Sequence, residues 1–223
     1  MGLVRFQCLC MALVSTLWAA APLRACELAL VLAVDVSASI SSGEYSFQMQ
    51  GLADALEDPI IAGALVKGEV ALAVVQWSGA SEQELSIPWH RMLSQQSVAD
   101  FASTARGLPR KWFDGFTAIG SMLDYVAPLY SAVPDCRRLV LDVSGDGLIN
   151  AGAPTRAARD VLLAQGTTIN GVAIDRRGDA VLQYFRTDII GGSQAFVLPA
   201  SGYGDYPRVI HEKLFRELIQ PSS

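Results

Sequence analysis

The sequence predicts an α/β fold of three layers, in which a doubly wound and mostly parallel β-sheet carries helices on both faces. Two observations support this prediction. Apolar runs of the length of buried strands, including residues 28–34, 139–144 and Thr167–Ile174, recur along the chain. Stretches with helical periodicity separate most of these runs, and strands that alternate with helices are typical of a parallel sheet.

The first 25 residues have the pattern of a signal peptide. Arg5 gives a positive start, residues 8–17 form an apolar core too short to span a membrane well, and small residues lead to a cleavage position near Ala25. We therefore divide the chain into a signal peptide, residues 1–25, and one domain, residues 26–223. An uncleaved N-terminal anchor is the alternative interpretation of the first segment.

The composition of the chain restricts its partners. The formal net charge is −5 and no basic patch stands out, which argues against a nucleic-acid partner. After residue 25 no apolar stretch is long enough to cross a bilayer, so we expect no membrane span in the mature chain. We expect an exported protein, either periplasmic or secreted, and the sequence leaves its oligomeric state open.

Cys26 and Cys136 are the cysteines that remain after the signal peptide. Each stands just before a predicted buried strand, so the two meet at one end of the sheet if those strands are parallel neighbours. An even pair of cysteines in an oxidising compartment favours a disulfide. The alternatives are two free thiols and lipidation of Cys26, for which Arg24 makes a poor signal.

The first half of the domain combines buried strands with capped helices. Ser41 and Glu44 form the pattern of a capping box at the start of a helix, and Pro88 marks a polar strand as an edge strand. Residues 60–65 are a short apolar stretch to which the pattern assigns no element. The predicted elements are a strand at 28–34, a helix closed by Asp58-Pro59, a strand at 69–77, an antiparallel edge strand at 84–89 and a helix at 97–106.

The second half alternates regularly between helix and strand. Its predicted elements are a helix at 117–130, strands at 139–144 and Thr167–Ile174 with a helix at 154–165 between them, a helix at 179–187, a strand at 194–198 and a helix at 205–219. The expected strand order is 3-2-1-4-5-6. In that order the sheet reverses its winding between the first and fourth strands, which creates a ligand crevice at their carboxyl ends.

Asp35-Val-Ser37-Ala-Ser39 lies on this crevice, at the turn between a buried strand and a helix. One carboxylate and two hydroxyl groups at this spacing suit a hard cation such as Mg²⁺. A simple helix N-cap is the alternative, but a cap needs just one such side chain. Two further oxygen donors, Thr117 at a helix start and Asp146 in the turn after the fourth strand, can converge on the same crevice.

These five residues resemble the pattern of the von Willebrand factor type A (vWA) domain and its metal-ion-dependent adhesion site (MIDAS). The resemblance extends over residues 27–220 and implies a Rossmann-like vWA fold. The family usually has Thr directly before the last Asp, where this chain has Gly145. The Ser-Gly-Asp-Gly segment and the N-terminal Cys also resemble a group of exported bacterial proteins of unknown function.

The resemblance implies how the five residues share one ion. Ser37, Ser39 and, in the ligand-bound form, Thr117 would coordinate the ion directly, while Asp35 and Asp146 would act through bound water. The implied ion is Mg²⁺ or Mn²⁺, with Ca²⁺ as a further option. The implied partner is a protein that offers an acidic side chain to the metal, so the expected activity is cation-dependent protein binding.

Other interpretations of the sequence remain open. One is a structural domain that a cation stabilises without binding a ligand, and another is a metal-dependent hydrolase. Neither His90 nor His211 lies beside a plausible nucleophile and no Gly-x-Ser-x-Gly motif is present, so we do not expect an enzyme. Asp142 lies within a buried strand and should be paired or hydrogen-bonded. Arg110 and Lys111 are interpreted as a solvated pair, with attraction of an acidic partner as the alternative.

Overall fold

The structure, a computed structural model, describes residues 26–175 and 178–219. The predicted signal peptide lies outside these residues. Six strands in the described part of the chain form one sheet of order β3-β2-β1-β4-β5-β6, which confirms the predicted order. The strands are β1 Leu28–Asp35, β2 Ala71–Trp77, β3 Gln83–Arg91, β4 Arg138–Gly145, β5 Thr167–Ile174 and β6 Val197–Ala200.

All neighbouring strands pair in parallel except β2 and β3, which are antiparallel at the edge of the sheet. Seven α-helices of the described residues cover the sheet. They are α1 Ser42–Glu57, α2 Pro59–Lys67, α3 Gln95–Arg106, α4 Ile119–Val126, α5 Thr155–Ala164, α6 Ala180–Tyr184 and α7 Tyr206–Ile219. A 3₁₀ turn at Ala127–Ala132 continues α4, and a π-helical turn at Phe185–Ile189 continues α6.

The sheet divides the hydrophobic core into two layers because successive side chains of a strand point to opposite faces. Leu30 and Leu32 of β1 pack with α1, α3 and α7 on one face. Val31 and Ala33 pack with α4, α5 and α6 on the other. β1 is buried on both faces and ends at Asp35, a polar residue at the carboxyl edge of the sheet. The candidate site lies at this edge.

Helix α2 occupies the apolar stretch to which the sequence pattern assigned no element. Asp58 ends α1 and caps α2, because its carboxylate accepts hydrogen bonds from the backbone N–H groups of Ile60 and Ile61. Pro59 suits the first helical position, where its missing N–H has no partner to lose. None of the helices among the described residues is long and apolar enough to cross a membrane.

A disulfide joins Cys26 to Cys136, as predicted, with their Cα atoms 4.2 Å apart. The two cysteines precede β1 and β4, and the pairing of Leu28 with Arg138 brings the starts of these strands side by side. The disulfide thus closes the end of the sheet opposite the candidate site. It ties together the two strands whose far ends carry Asp35 and the loop of Asp146.

Candidate metal centre

Three loops carry the candidate residues: the first at 36–41, between β1 and α1, the second at 107–118, between α3 and α4, and the third at 146–154, between β4 and α5. The buried carboxylate of Asp35 organises the first loop. Asp35 ends β1 and is fully buried, and its Oδ1 accepts a hydrogen bond of 2.8 Å from the backbone N–H of Ser37. Its Oδ2 has no hydrogen-bond partner within the described residues. A buried carboxylate oxygen without a partner is costly, and it is the kind of atom that a cation or an ordered water would satisfy.

A chain of hydroxyl groups links the first loop to the third. Ser37 Oγ and Ser39 Oγ lie 3.2 Å apart, and Ser39 Oγ donates a hydrogen bond of 2.6 Å to Asp146 Oδ1. Ser37 is buried, whereas Ser39 is exposed. The donors therefore form a line from the interior of the sheet edge to the protein surface.

Thr117, which is buried, belongs to the loop before α4 and packs against the third loop. Its backbone N–H donates to Asn150 Oδ1 at 2.8 Å, and the Asn150 N–H donates back to the Thr117 carbonyl at 3.1 Å. Its hydroxyl lies against Gly147, where an added Cβ would be 3.1 Å from Thr117 Oγ1. These contacts place Thr117 beside the residue that follows Asp146.

Gly145, the departure from the family pattern, sits where the third loop approaches β1. A Cβ added to Gly145 would lie 3.0 Å from Asp35 Oδ2 and 3.5 Å from the ring of Trp77. Such a distance from the carboxylate is shorter than ordinary van der Waals contact. Glycine therefore lets this loop run closer to Asp35 than a residue with a side chain would in the same backbone position.

The electrostatics of the site favour a cation. Burial raises the pKa of Asp35 to about 7, the hydrogen bonds from Ser37 oppose this rise, and the nearby charge of Asp146 adds to it. A divalent ion would favour the deprotonated carboxylate and offset its desolvation. Three hydroxyl groups and two carboxylates are also hard oxygen donors of the kind that Mg²⁺ prefers, so the residues present fit such an ion.

Most of the five candidate ligands are neutral hydroxyl groups. Within residues 26–175 and 178–219, no three His, Cys, Asp or Glu side chains gather as they would in a carboxylate-rich or zinc-type metal site. An ion held mainly by neutral hydroxyl groups keeps more of its positive charge for a further ligand. This arrangement suits the attraction of an acidic group.

Residues 25–222 match the family described as "Protein of unknown function (DUF1194)". The chain belongs to the DUF1194 family. A comparison with curated protein sequences gave no match for this DUF1194 chain. The family assignment agrees with the predicted resemblance to a group of proteins of unknown function.

Solved structures similar to this DUF1194 chain are vWA domains. Proximal thread matrix protein 1 (PTMP1) from the mussel byssus has a TM-score of 0.67 at 18% identity over 84% of this chain and 47% of its own. The pilus adhesin SpaC from Lactobacillus rhamnosus GG has a TM-score of 0.64 at 13% identity, over 86% of this chain and 31% of its own.

A third structure, a von Willebrand factor type A protein from Catenulispora acidiphila, has a TM-score of 0.64 at 15% identity over 86% of this chain and 43% of its own. The DUF1194 chain thus spans less than half the length of each of these proteins. At such low identity the likeness establishes the vWA fold. One structure of PTMP1 has a zinc-occupied MIDAS motif.

Sequence reasoning missed Arg110, which is not a solvated charge. Its guanidinium Nη2 donates hydrogen bonds of 3.0 and 2.9 Å to the backbone carbonyls of Val36 and Ser37. Arg110 therefore holds the first loop from outside. No sequence signal marks this role, because the acceptors are backbone atoms more than seventy positions away.

Exposed apolar side chains lie on the second and third loops of the site. Phe113 and Phe116 of the second loop are 62% and 63% exposed, and Leu148 of the third loop is 49% exposed. The carbonyl of Gly115, between the two aromatic residues, accepts a hydrogen bond from the Ala38 N–H of the first loop. This hydrogen bond joins the first loop of the site to the second.

Proposed function

We propose that this DUF1194 chain is an exported protein that binds a protein ligand through Mg²⁺ or Mn²⁺, and that it is not an enzyme. The observation that carries the proposal is the chain of hydroxyl groups from Ser37 through Ser39 to Asp146, beside the buried Oδ2 of Asp35 that has no partner within the described residues. The Thr117 hydroxyl lies against Gly147, the residue after Asp146. Two structural neighbours support this assignment: PTMP1, one structure of which has a metal in its MIDAS motif, and the pilus adhesin SpaC. The Cys26–Cys136 disulfide supports export to an oxidising compartment.

The residues of the site would divide the work of binding. Ser37, Ser39 and Thr117 would hold the ion through their hydroxyl oxygens, and Asp35 and Asp146 would balance its charge. When bound, the ion supplies an electrophilic position for a carboxylate of the partner. Phe113 and Phe116 supply apolar area around that contact, as aromatic side chains do in many interfaces.

Affinity capture from an extracytoplasmic extract of the source organism tests this proposal. The bait is the exported protein, presented with Mg²⁺, with EDTA, and as Asp146→Ala with Mg²⁺. We expect a partner that the metal-loaded wild-type bait alone retains. As a matched control, Asp160→Ala removes an exposed aspartate of α5, and this bait should retain the partner like the wild type.

Calorimetry with MgCl₂ separates the remaining outcomes. No binding of Mg²⁺ to the folded wild-type protein would overturn the metal site itself. Binding of Mg²⁺ without any cation-dependent partner would instead favour a cation that stabilises the fold. The two measurements together therefore decide between adhesion and structural support.

A further inference from the structure

A lysine and two carboxylic acids are buried together between β4 and α7, away from the metal centre. Lys213 of α7 is 0% exposed, Asp142 of β4 is 4% exposed and Glu217 of α7 is 6% exposed. Lys213 Nζ contacts Asp142 Oδ1 directly and lies 3.1 Å from Glu217 Oε2. The prediction that Asp142 is paired is thus confirmed, and its partner is this lysine.

The surroundings of this triad fix the orientation of Glu217. Asn170, the β5 neighbour of Asp142 in the sheet, donates a hydrogen bond of 2.7 Å from Nδ2 to Glu217 Oε1. The other oxygen of Glu217 faces Lys213, and the ring of Phe196 lies 5.4 Å from the lysine Nζ. Glu217 therefore has one oxygen held by an amide and the other directed at the amine.

The charges of the triad do not balance if all three groups are ionised. Burial raises the pKa of Asp142 well above its usual range, and the charge of Glu217 raises it further. Burial lowers the pKa of Lys213, but the two carboxylates raise it by more, so the amine rests as an ammonium. If Asp142 carries a proton, one negative charge remains to balance the Lys213 ammonium, and the buried cluster has no net charge.

We propose that Lys213 and Asp142 form an intramolecular isopeptide bond, with Glu217 as the group that moves the proton. The required parts are an amine in contact with a carboxyl group, an acid that accepts and returns protons, and an environment that excludes water. All three are present in one buried cluster of an exported domain. The bond would be a covalent modification of this chain, independent of the metal site.

The reaction balances without an external reagent. Glu217 takes a proton from the Lys213 ammonium, and the neutral amine attacks Cγ of the protonated Asp142 carboxyl group. A C–N bond forms, the C–OH bond breaks, and Glu217 relays a second amine proton to the departing hydroxyl, which leaves as water. The products are one amide, one water molecule and a protonated Glu217, so the cluster is neutral before and after the reaction.

The bond would tie the closing helix to the strand that leads into the metal loop. Asp142 lies in β4 four positions before Asp146, and the disulfide anchors the start of the same strand. Strand β4 would then carry one covalent tie at its beginning and another near its middle. Helix α7 would be unable to separate from the sheet even where local unfolding breaks its noncovalent contacts.

Peptide mapping of the protein expressed from its full chain tests the bond. After reduction, alkylation and trypsin digestion, we expect a branched peptide that joins residues 139–156 to residues 209–216. Its mass should be that of the two linear peptides less one water molecule, with no cleavage after Lys213. A succinimide at Asp142 would also lose water but would leave the two peptides separate.

Glu217→Gln is the informative variant, because its amide can keep a hydrogen bond with Asn170 but cannot carry the proton. We expect the linear peptides from this variant, with unchanged circular dichroism, and the branched peptide from the control Glu212→Gln on the exposed side of α7. Linear peptides from the wild type, cleaved after Lys213, would overturn the proposal and leave an ion cluster. A full yield of branched peptide from Glu217→Gln would overturn the role of Glu217.

Discussion

At the scale of single residues, Asp35 shows why a cation would stabilise the candidate site. Its carboxylate is fully buried and shares its surroundings with Asp146, so burial and like charge both favour the protonated form. The Ser37 N–H satisfies one of its oxygens and leaves the other without a partner. In the proposed function, a proton and a divalent ion would therefore compete to neutralise the same carboxylate.

This competition predicts a pH dependence of stability. Because folding raises the pKa of Asp35 from 3.8 to about 7, the metal-free fold binds the proton more tightly than the unfolded chain and loses stability as the pH rises through this interval. The loss attributable to this one group is on the order of 4 kcal/mol. Mg²⁺ should offset it, so the increase in melting temperature on adding Mg²⁺ should be larger at pH 8 than at pH 5.

The variant Asp35→Asn isolates this contribution, since it keeps the shape of the side chain but cannot ionise. In this variant we expect a smaller effect of Mg²⁺ on the melting temperature, and no difference in that effect between the two pH values. Equal stabilisation of the wild type by Mg²⁺ at pH 5 and pH 8 would contradict the assignment of Asp35 to the cation.

Arg110 leads to a second prediction at this scale. Its hydrogen bonds to the carbonyls of Val36 and Ser37 hold the loop that carries the serine hydroxyls. Arg110→Gln should weaken Mg²⁺ binding about threefold to tenfold, because hydrogen bonds from a charged donor contribute roughly 1.5–3 kcal/mol and part of that orders the loop. Calorimetry measures the change, and Lys111→Gln, which removes the neighbouring surface cation, should bind Mg²⁺ like the wild type.

At the scale of elements, hydrophobic periodicity was sufficient for the order of the sheet but not for every element, since β6 begins and ends later than the predicted strand at 194–198 and α2 was not predicted. Buried strands such as β1 are apolar along their whole length, and a parallel sheet allows few strand orders, so the order and the loops of the site could be predicted. Helix α2 could not, because residues 60–65 are a short apolar run that suits a strand as well as a helix. Its start depends on one capping side chain, Asp58.

Asp58 therefore carries a prediction about the junction of α1 and α2. Its carboxylate caps α2 and contacts His211 of α7 at 3.2 Å, so Asp58→Ala should lower the free energy of unfolding and move the urea midpoint to a lower concentration. The N–H groups of Ile61 and Ile60 and the contact with His211 lower the pKa of Asp58, so this contribution should be lost as acid protonates the carboxylate. Urea denaturation at neutral and acid pH measures both effects, with Asp160→Ala as the control.

At the scale of the whole molecule, the residues hardest to predict are those whose partners are distant in sequence. Four of the five candidate metal residues lie at or just after the ends of β1 and β4, so the order of the sheet predicts that they meet, whereas Thr117 lies in the loop before α4. The local sequence pattern does not predict the partners of Asp142, because Lys213 and Glu217 meet it only after α7 has packed on the sheet. A charge inside a buried strand signals that a partner exists, but the sequence does not say which residue it is.

The disulfide gives the last prediction, which concerns the stability of the whole domain. It closes a loop across 110 positions and joins the two central strands. Reduction should raise the conformational entropy of the unfolded chain and so destabilise the folded domain. For a loop of this length the expected loss in the free energy of unfolding is about 4–5 kcal/mol. Urea unfolding with and without reductant measures the loss, and Cys26→Ser should unfold at the lower midpoint under both conditions. An unchanged midpoint for the reduced wild type would show that packing of β1 against β4 holds this end of the sheet without the covalent bond.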